Sequence, residues 1–330
     1  MTHFRTLGSR FKSKVRVLTE KQFWLRYGTL AAYRAFCASL SSLTGLTTSG
    51  AAHAERNTET AIAYILSVFD KYKSAAQLQC FHGRVAEIGP GDSCGVGLMF
   101  LADGCNQVDL IDRYFSARSE EQQRSINRAI VERFPQLSTH TVNGNFSEKS
   151  FSNLTRHYGK NAAAEKFFER HTGYDFIVSC AVLEHVYDPL RSIAAAAAAL
   201  NPGGMMLHQI DCRDHGQFSS SFHELKFLEL APIFYSPLRW GGGPNRVRLG
   251  AYRQTLRKLP VDYKVLITSL AGFPEPLDPA LPFEQLHPSL LECSRAYVAK
   301  ARPHLATCFR AMSDEDLMAT SFMIIAKKRP

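Results

Sequence analysis

The segment Val85-Ala-Glu-Ile-Gly-Pro-Gly-Asp-Ser-Cys-Gly95 places a carboxylate, Glu87, just ahead of glycines at 89, 91 and 95. Glycines let a backbone turn sharply and let a ligand lie against peptide N–H groups at a helix start. Asp112 closes the next apolar run, 21 residues beyond Gly91, where a carboxylate can accept hydrogen bonds from both hydroxyls of a ribose. A nucleoside site is the chemistry this pair predicts. The glycines run G-x-G-x-x-x-G, unlike the G-x-G-x-x-G of dinucleotide loops, which disfavours a nicotinamide dinucleotide.

A second constellation is Asp211-Cys-Arg-Asp-His215, with His223 further on. It leaves the end of a strand pattern, the edge at which open α/β sheets bind ligands. His215 is the candidate general base, since a neutral imidazole can take a hydroxyl proton near physiological pH, and Asp211 is the candidate that orients it or the substrate. Local turn and cap bonds are the competing use of these residues. His185, in Leu183-Glu-His185, is a further catalytic candidate, with helix capping as its alternative. Arg239, Arg246 and Arg248 can clamp a phosphate or carboxylate, or form a solvated basic loop. The Asp and His residues of this stretch could also bind a divalent ion that orients two substrate hydroxyls, but their spacing matches no standard metal site, and no metal is expected.

These residues need strands that end at one edge. From residue 55 the chain alternates helix and strand patterns, as a parallel sheet requires. A helix from Glu59 to Lys73 leads to a first strand at 83–89, a helix over 93–102 to a second at 107–112, and a charged helix over 117–134 to a third at Ser138 to Val142. The fourth strand is Tyr174 to Cys180. A helix through the alanine run at 194–199 stops at Leu200-Asn-Pro-Gly-Gly204, and Met205 to Asp211 is the fifth strand. An irregular stretch to Arg248 reads as a lid. Helices at 249–259 and 288–300 and strands at 263–269 and 319–327 complete the pattern.

In this order the motifs resemble the class I S-adenosylmethionine-dependent methyltransferases. Glu87-Ile-Gly-Pro-Gly91 is similar to the family's first motif, Asp112 to its second, Ser179-Cys-Ala-Val-Leu-Glu-His-Val-Tyr-Asp-Pro189 to its fourth, and Leu200–Gly204 to the turn before its fifth strand; Phe322–Lys328 resembles its closing antiparallel strand. The resemblance implies a doubly wound, seven-stranded Rossmann-like α/β sheet over residues 55–330, with S-adenosylmethionine as cofactor and a substrate lid at 211–248. It implies that Glu87, Gly89 and Gly91 line the methionine part, that Asp112 holds the ribose, that Asn145 and Phe146 flank the adenine after the third strand, and that Ser179 joins the cofactor site. Where the family often has an acidic residue, this chain has Gly144-Asn-Phe. The expected reaction is methyl transfer to a small-molecule or glycan-type acceptor, at oxygen, with the cofactor better supported by the resemblance than the acceptor.

The 330 residues carry a 45% hydrophobic fraction, enough for a real core. Eight cysteines form no C-x-x-C pair, so reduced thiols in a cytoplasmic protein are expected. No run reaches the roughly 20 apolar residues of a membrane span. The net charge is +9, and residues 1–54 form a separate basic segment, expected to be helical, with no Asp or Glu before Glu20. It is a candidate for packing on the main domain, for peripheral contact with an anionic membrane, or for an organellar transit peptide. Two other functions stay open. A nucleic-acid methyltransferase would suit the charge, although Ser179–His185 lacks the Asn/Asp-Pro-Pro-aromatic turn used on exocyclic amines, and nucleic acid is not the expected partner. A catalytically silent scaffold would keep the nucleoside pocket and bind a partner.

Overall fold

Helix and strand alternate from residue 58 onward, with helix ends set by polar N-caps at Asn57, Ser119 and Asp188 and by Gly104. The computed structural model describes residues 27–29, 32, 56–116, 118–142, 144–215, 218, 224–239 and 243–330. His223 and nearly all of the basic segment 1–54 lie outside the described residues. No helix among the described residues is long and apolar enough to cross a membrane.

The first long helix, α1 (Thr58–Ala76), is capped by Asn57, whose Oδ1 accepts from Thr60 N at 2.8 Å. It buries Ile62, Ile65, Val68, Phe69 and Tyr72, each stabilising the fold by about 1.5–3 kcal/mol. Phe69 packs with Phe81 and Phe100 at ring separations of 5.6 and 5.3 Å, and Phe81 meets Phe176 at 4.9 Å. This aromatic knot seats α1 and α2 (Gly95–Asp103) on the sheet.

Seven strands make one sheet: β1 (Gly83–Ile88), β2 (Cys105–Asp112), β3 (Leu154–Tyr158), β4 (Tyr174–Cys180), β5 (Leu200–Asp211), β6 (Val261–Leu270) and β7 (Ala319–Lys328), in the order β3-β2-β1-β4-β5-β7-β6. The pairs from β3 through to β5 are parallel. The β6–β7 contacts run the other way: Arg329 N donates to Pro260 O and Ala271 N to Met318 O, so one index rises as the other falls. The sheet is therefore mixed, with the closing antiparallel strand the sequence led one to expect. Between strands run α3 (Glu120–Arg133), α4 (Pro189–Ala199), α5 (Pro232–Arg239), α6 (Leu249–Leu256) and α7 (Pro288–Ala301).

The third strand is a correction. Residues 135–140 form a 3-10 helix, and Thr141 makes a single antiparallel bridge to Phe151. The strand lies at Leu154–Tyr158. β5 also begins earlier than expected, at Leu200, with a register shift against β4 between Tyr174 and Phe176 that absorbs the Asn-Pro-Gly-Gly sequence.

Backbone contacts group the chain into two compact units. The described residues of Leu46–Ile210, Gly250–Leu266 and Met323–Pro330 form one, and those of Met1–Gly45, Asp211–Leu249 and Ile267–Phe322 the other. The segment expected as a lid, 211–248, thus shares its unit with a stretch much later in the sequence. In the first unit Asp109, buried in β2, accepts from Arg84 Nε and Nη2 at 3.0 and 2.7 Å and from the Tyr174 hydroxyl at 2.9 Å. Its other oxygen is 2.9 Å from His157 Nε2. One carboxylate so ties four neighbouring strands together.

Candidate active site

The carboxyl ends of β1, β2 and β4 lie within the first unit. β1 buries Glu87, and the chain then turns through Gly89 and Gly91 at φ of +71° and +66°. Only glycine takes such angles without strain. Gly89 N donates to Ile111 O at 2.8 Å, and a Cβ on Gly89 would stand 2.4 Å from Val182 Cγ2. A side chain there would push apart the loops that follow β1 and β4. Gly95 has another purpose, because a Cβ on it would meet Ile65 Cδ1 at 2.3 Å. It lets α1 pack tightly on α2.

Arg156 of β3 fixes the loop from below. Its Nη1 donates to Gly91 O at 3.0 Å and its Nη2 to Ser93 O at 3.1 Å. Glu148 holds the guanidinium through Nε at 2.7 Å and Nη2 at 2.9 Å, and Arg118 donates to Glu148 at 3.0 Å. All three side chains are largely buried, so the fork is held in one geometry.

Glu87 Oε2 is buried and has no hydrogen-bond partner among the described residues. Burial pushes its carboxyl up to about 8, against a lowering influence from Arg156. At the end of β2, Asp112 Oδ1 accepts from Tyr114 N at 2.8 Å. Burial raises Asp112 to about 6, with the Tyr114 bond and Arg156 acting the other way. Beside it, Phe115 and the exposed Tyr158 have ring centres 5.2 Å apart, and Tyr158 is the register partner of Asp112. A cradle that a Cβ would fill, an acceptor with spare capacity and an aromatic edge fit a nucleoside with a cationic tail.

The other cofactor candidates fare differently. Ser179 is fully buried, with its hydroxyl 2.8 Å from Nδ1 of His208, its register partner on β5. That partner, not a ligand, takes the side chain. Burial drives His208 down to about 3, so it is neutral. Asn145 and Phe146 precede the third strand rather than follow it. Asn145 Oδ1 accepts from Ser147 N at 3.0 Å, a local turn, and Phe146 O accepts from Asn127 Nδ2 at 2.9 Å. Their placement beside the adenine rested on the misplaced strand. His185 sits in the turn before α4, its N–H bonded to Val182 O. Capping is not its task, because Asp188 is the N-cap of α4.

In the second unit, Asp211 closes β5 and is held by Arg213 through Nε at 2.8 Å and Nη2 at 2.7 Å. Burial pushes the Asp211 carboxyl up, but its bonds with His215 and Arg213 outweigh this and hold it well below the usual carboxylate range. It stays ionised and orients its neighbours. His215 Nε2 is 3.3 Å from Asp211 O and 3.6 Å from Asp211 Oδ2, with its backbone at φ +55°. A non-glycine residue in that region is strained, a feature that gathers at functional sites.

Two of the three lid arginines are not substrate clamps. Arg248, 1% exposed, donates to Cys212 O, Asp316 O and Ala319 O. Arg246 donates to Phe227 O and Leu230 O, between the rings of Tyr235 and Phe309, and burial lowers it to about 10. Both organise the unit from inside.

A family model described as a methyltransferase domain matches residues 61–241. No curated protein matches the chain. Among solved structures, the chain is similar to a Haemonchus contortus phosphoethanolamine N-methyltransferase 2 determined with phosphomonomethylethanolamine and S-adenosylhomocysteine (15% identity, TM-score 0.42, covering 80% of this chain and 52% of that one). It spans only about half the length of that protein. An S-adenosylmethionine-dependent methyltransferase from Mesorhizobium loti aligns at 14% identity and TM-score 0.41 over 80% of this chain and all of its own. An O-methyltransferase family protein from Burkholderia thailandensis aligns at 9% and 0.40 over 82% and 58%. More than half of the chain is covered by the family model, and the strand order and glycine loop agree with it: the chain belongs to the methyltransferase-domain family, of the class I, S-adenosylmethionine-dependent type.

Proposed function

We propose that the protein transfers a methyl group from S-adenosylmethionine to a hydroxyl oxygen of a small-molecule or glycan-type acceptor. The carrying observation is the edge formed by Glu87, the Gly89–Gly91 turn and Asp112. There, buried and half-buried acceptors with spare capacity flank a backbone turn at which a Cβ on Gly89 would meet Val182. Glu87 and the loop hold the amino-acid end, and Asp112 takes the ribose hydroxyls. When bound, S-adenosylmethionine supplies an electrophilic sulfonium methyl.

His215 accepts the proton of the acceptor hydroxyl, and Asp211, kept ionised by Arg213, orients the imidazole. The strained backbone of His215 and its contacts with Asp211 support that role. His185 is the second candidate for the base. The test begins with labelled S-adenosylmethionine and a panel of hydroxyl and amine acceptors. His215→Ala is expected to lower turnover by roughly 10²–10⁴, the usual range for a general base, with S-adenosylmethionine affinity unchanged. Near-wild-type turnover would move the role to His185, tested by His185→Ala. Labelling of amines alone would reject the oxygen acceptor.

A further inference from the structure

Helix α7 (Pro288–Ala301) continues into the 3-10 turn Arg302–His304, and its sequence spaces Arg295, Ala299 and Arg302 at intervals of four and three. Residues at that spacing share one face of a helix. The face borders an open cavity of about 610 Å³, lined by Arg295, Ala299, Arg302, Pro303, Arg310 and Asp314. All six residues belong to the second unit.

Arg302 is the strut of this cavity. Its Nη1 donates to Arg310 O and Met312 O at 2.7 Å each, and its Nη2 to Asp314 Oδ1 at 2.5 Å, which ties the chain after the short helix Thr307–Arg310 to the end of α7. Arg310 donates through Nη2 to Leu305 O at 3.0 Å, and its Nε and Nη1 make no hydrogen bond among the described residues. Arg295 makes none there at all, and only approaches Asp314 Oδ2 through Nε at 3.4 Å.

Three guanidinium groups thus meet one carboxylate. Among the described residues that line the cavity Asp314 alone is acidic, and Asp316, two positions on, has its carboxylate 3.1 Å from the Ser313 hydroxyl. An excess of two positive charges, with two guanidinium edges holding spare donors, matches a group that carries two negative charges and several acceptor oxygens. A phosphate monoester is such a group, at about −1.5 to −2 near pH 7. A carboxylate or a phosphate diester brings a single charge.

We propose that this cavity binds the phosphate monoester of a small organic molecule, with Arg295 and Arg310 gripping the oxygens and Arg302 holding those two arms in place. Ala299 and Pro303 form the wall on which the organic part rests. Binding here needs neither the methyl donor nor the acceptor.

Titration calorimetry on the full chain at constant ionic strength, with phenyl phosphate and its methyl diester as probes, tests it. Phenyl phosphate should bind at one site, and the diester, a monoanion, roughly tenfold more weakly. Arg295→Gln and Arg310→Gln should each weaken phenyl phosphate by roughly tenfold. The Arg295 side chain is 57% exposed, so its replacement leaves the fold intact and the change reads binding alone. Asp314→Asn keeps an acceptor for Arg302 while removing the competing charge, and should tighten phenyl phosphate. No saturable binding of phenyl phosphate at millimolar concentration, unchanged affinity in Arg295→Gln, or weaker binding in Asp314→Asn would overturn the proposal. Equal affinity for monoester and diester would also overturn it, and would point instead to a backbone phosphate such as that of a nucleic acid.

Discussion

Asp109 and Asp112 stand three positions apart on β2, are both largely buried, and have opposite acidities. For Asp109 burial raises the carboxyl, but the bonds from His157, Arg84 and Tyr174 outweigh it and the pKa falls below its ordinary value. For Asp112 burial prevails over a single backbone bond and the carboxyl rises to about 6. The interior of the sheet supplies every partner its carboxylate needs. The carboxyl edge does not, and Glu87 repeats the pattern there. For this pair of aspartates, unmet polar capacity rather than residue type separates the carboxyl edge from the framework.

The comparison breaks if the two aspartates can exchange consequences. Asp109→Ala is expected to cost about 2–4 kcal/mol of stability, since it strands the Tyr174 hydroxyl and the Arg84 guanidinium. The figure sits below that of a sealed ion pair because Arg84 and His157 side chains keep 30% exposure. Urea denaturation measures the loss, and S-adenosylhomocysteine affinity should be unchanged. A comparable loss of affinity would show that the interior network belongs to the site.

Asp112→Ala should do the reverse, weakening S-adenosylhomocysteine by about 1.5–3 kcal/mol through lost ribose bonds. The ligand-free protein should lose nothing at pH 7. A carboxyl whose pKa is raised on folding gives stability at low pH that is lost as pH rises from 3.8 through about 6. Removing it at neutral pH is neutral or mildly stabilising, which thermal melts read directly. A clear fall in the melting temperature would place Asp112 with the framework.

How much of this was legible in the sequence follows the same division. β1, β4 and β7 were visible because they are buried runs, and β7 is apolar or small over eight consecutive buried positions. β3 was missed because it is an edge strand of five residues, with Thr, Arg and His in a half-exposed pattern, while the Thr and Val at 141–142 imitate a strand. Glu87, Gly89, Gly91 and Asp112 stood out as candidates because they sit at fixed spacing on one loop and one strand end. Arg156 did not. The bond from Arg156 to Gly91 spans 65 positions, and nothing local distinguishes such an arginine from a surface one. Ser179 misled for a related reason: its role depends on register against His208, which only the paired sheet reveals. Arg246 and Arg248, likewise, looked like clamps until their carbonyl partners came into view.

Glu87 sharpens the comparison most finely, because its effect is a slope rather than a loss. Burial raises it from 4.5 to about 8, so at pH 7 the ligand-free protein holds it mostly protonated. In the free protein the folded state keeps a proton that the unfolded chain releases, and stability should decline as pH rises from 4.5 towards 8. An ammonium bound at Glu87 demands the carboxylate and so reverses the preference. S-adenosylhomocysteine affinity is then expected to rise with pH, by roughly tenfold between pH 6 and 7 and more slowly towards 8, following the ionised fraction of a single group. Calorimetry in two buffers of different ionisation enthalpy should show close to one proton released on binding near pH 7. Glu87→Gln should remove both the slope and the proton release while still binding, and any pH dependence left would then fall below about pH 6, where Asp112 takes up its proton. A flat wild-type profile would mean that Glu87 meets the ligand as a neutral acid, and its unpaired oxygen would then be a donor site rather than the seat of a cation.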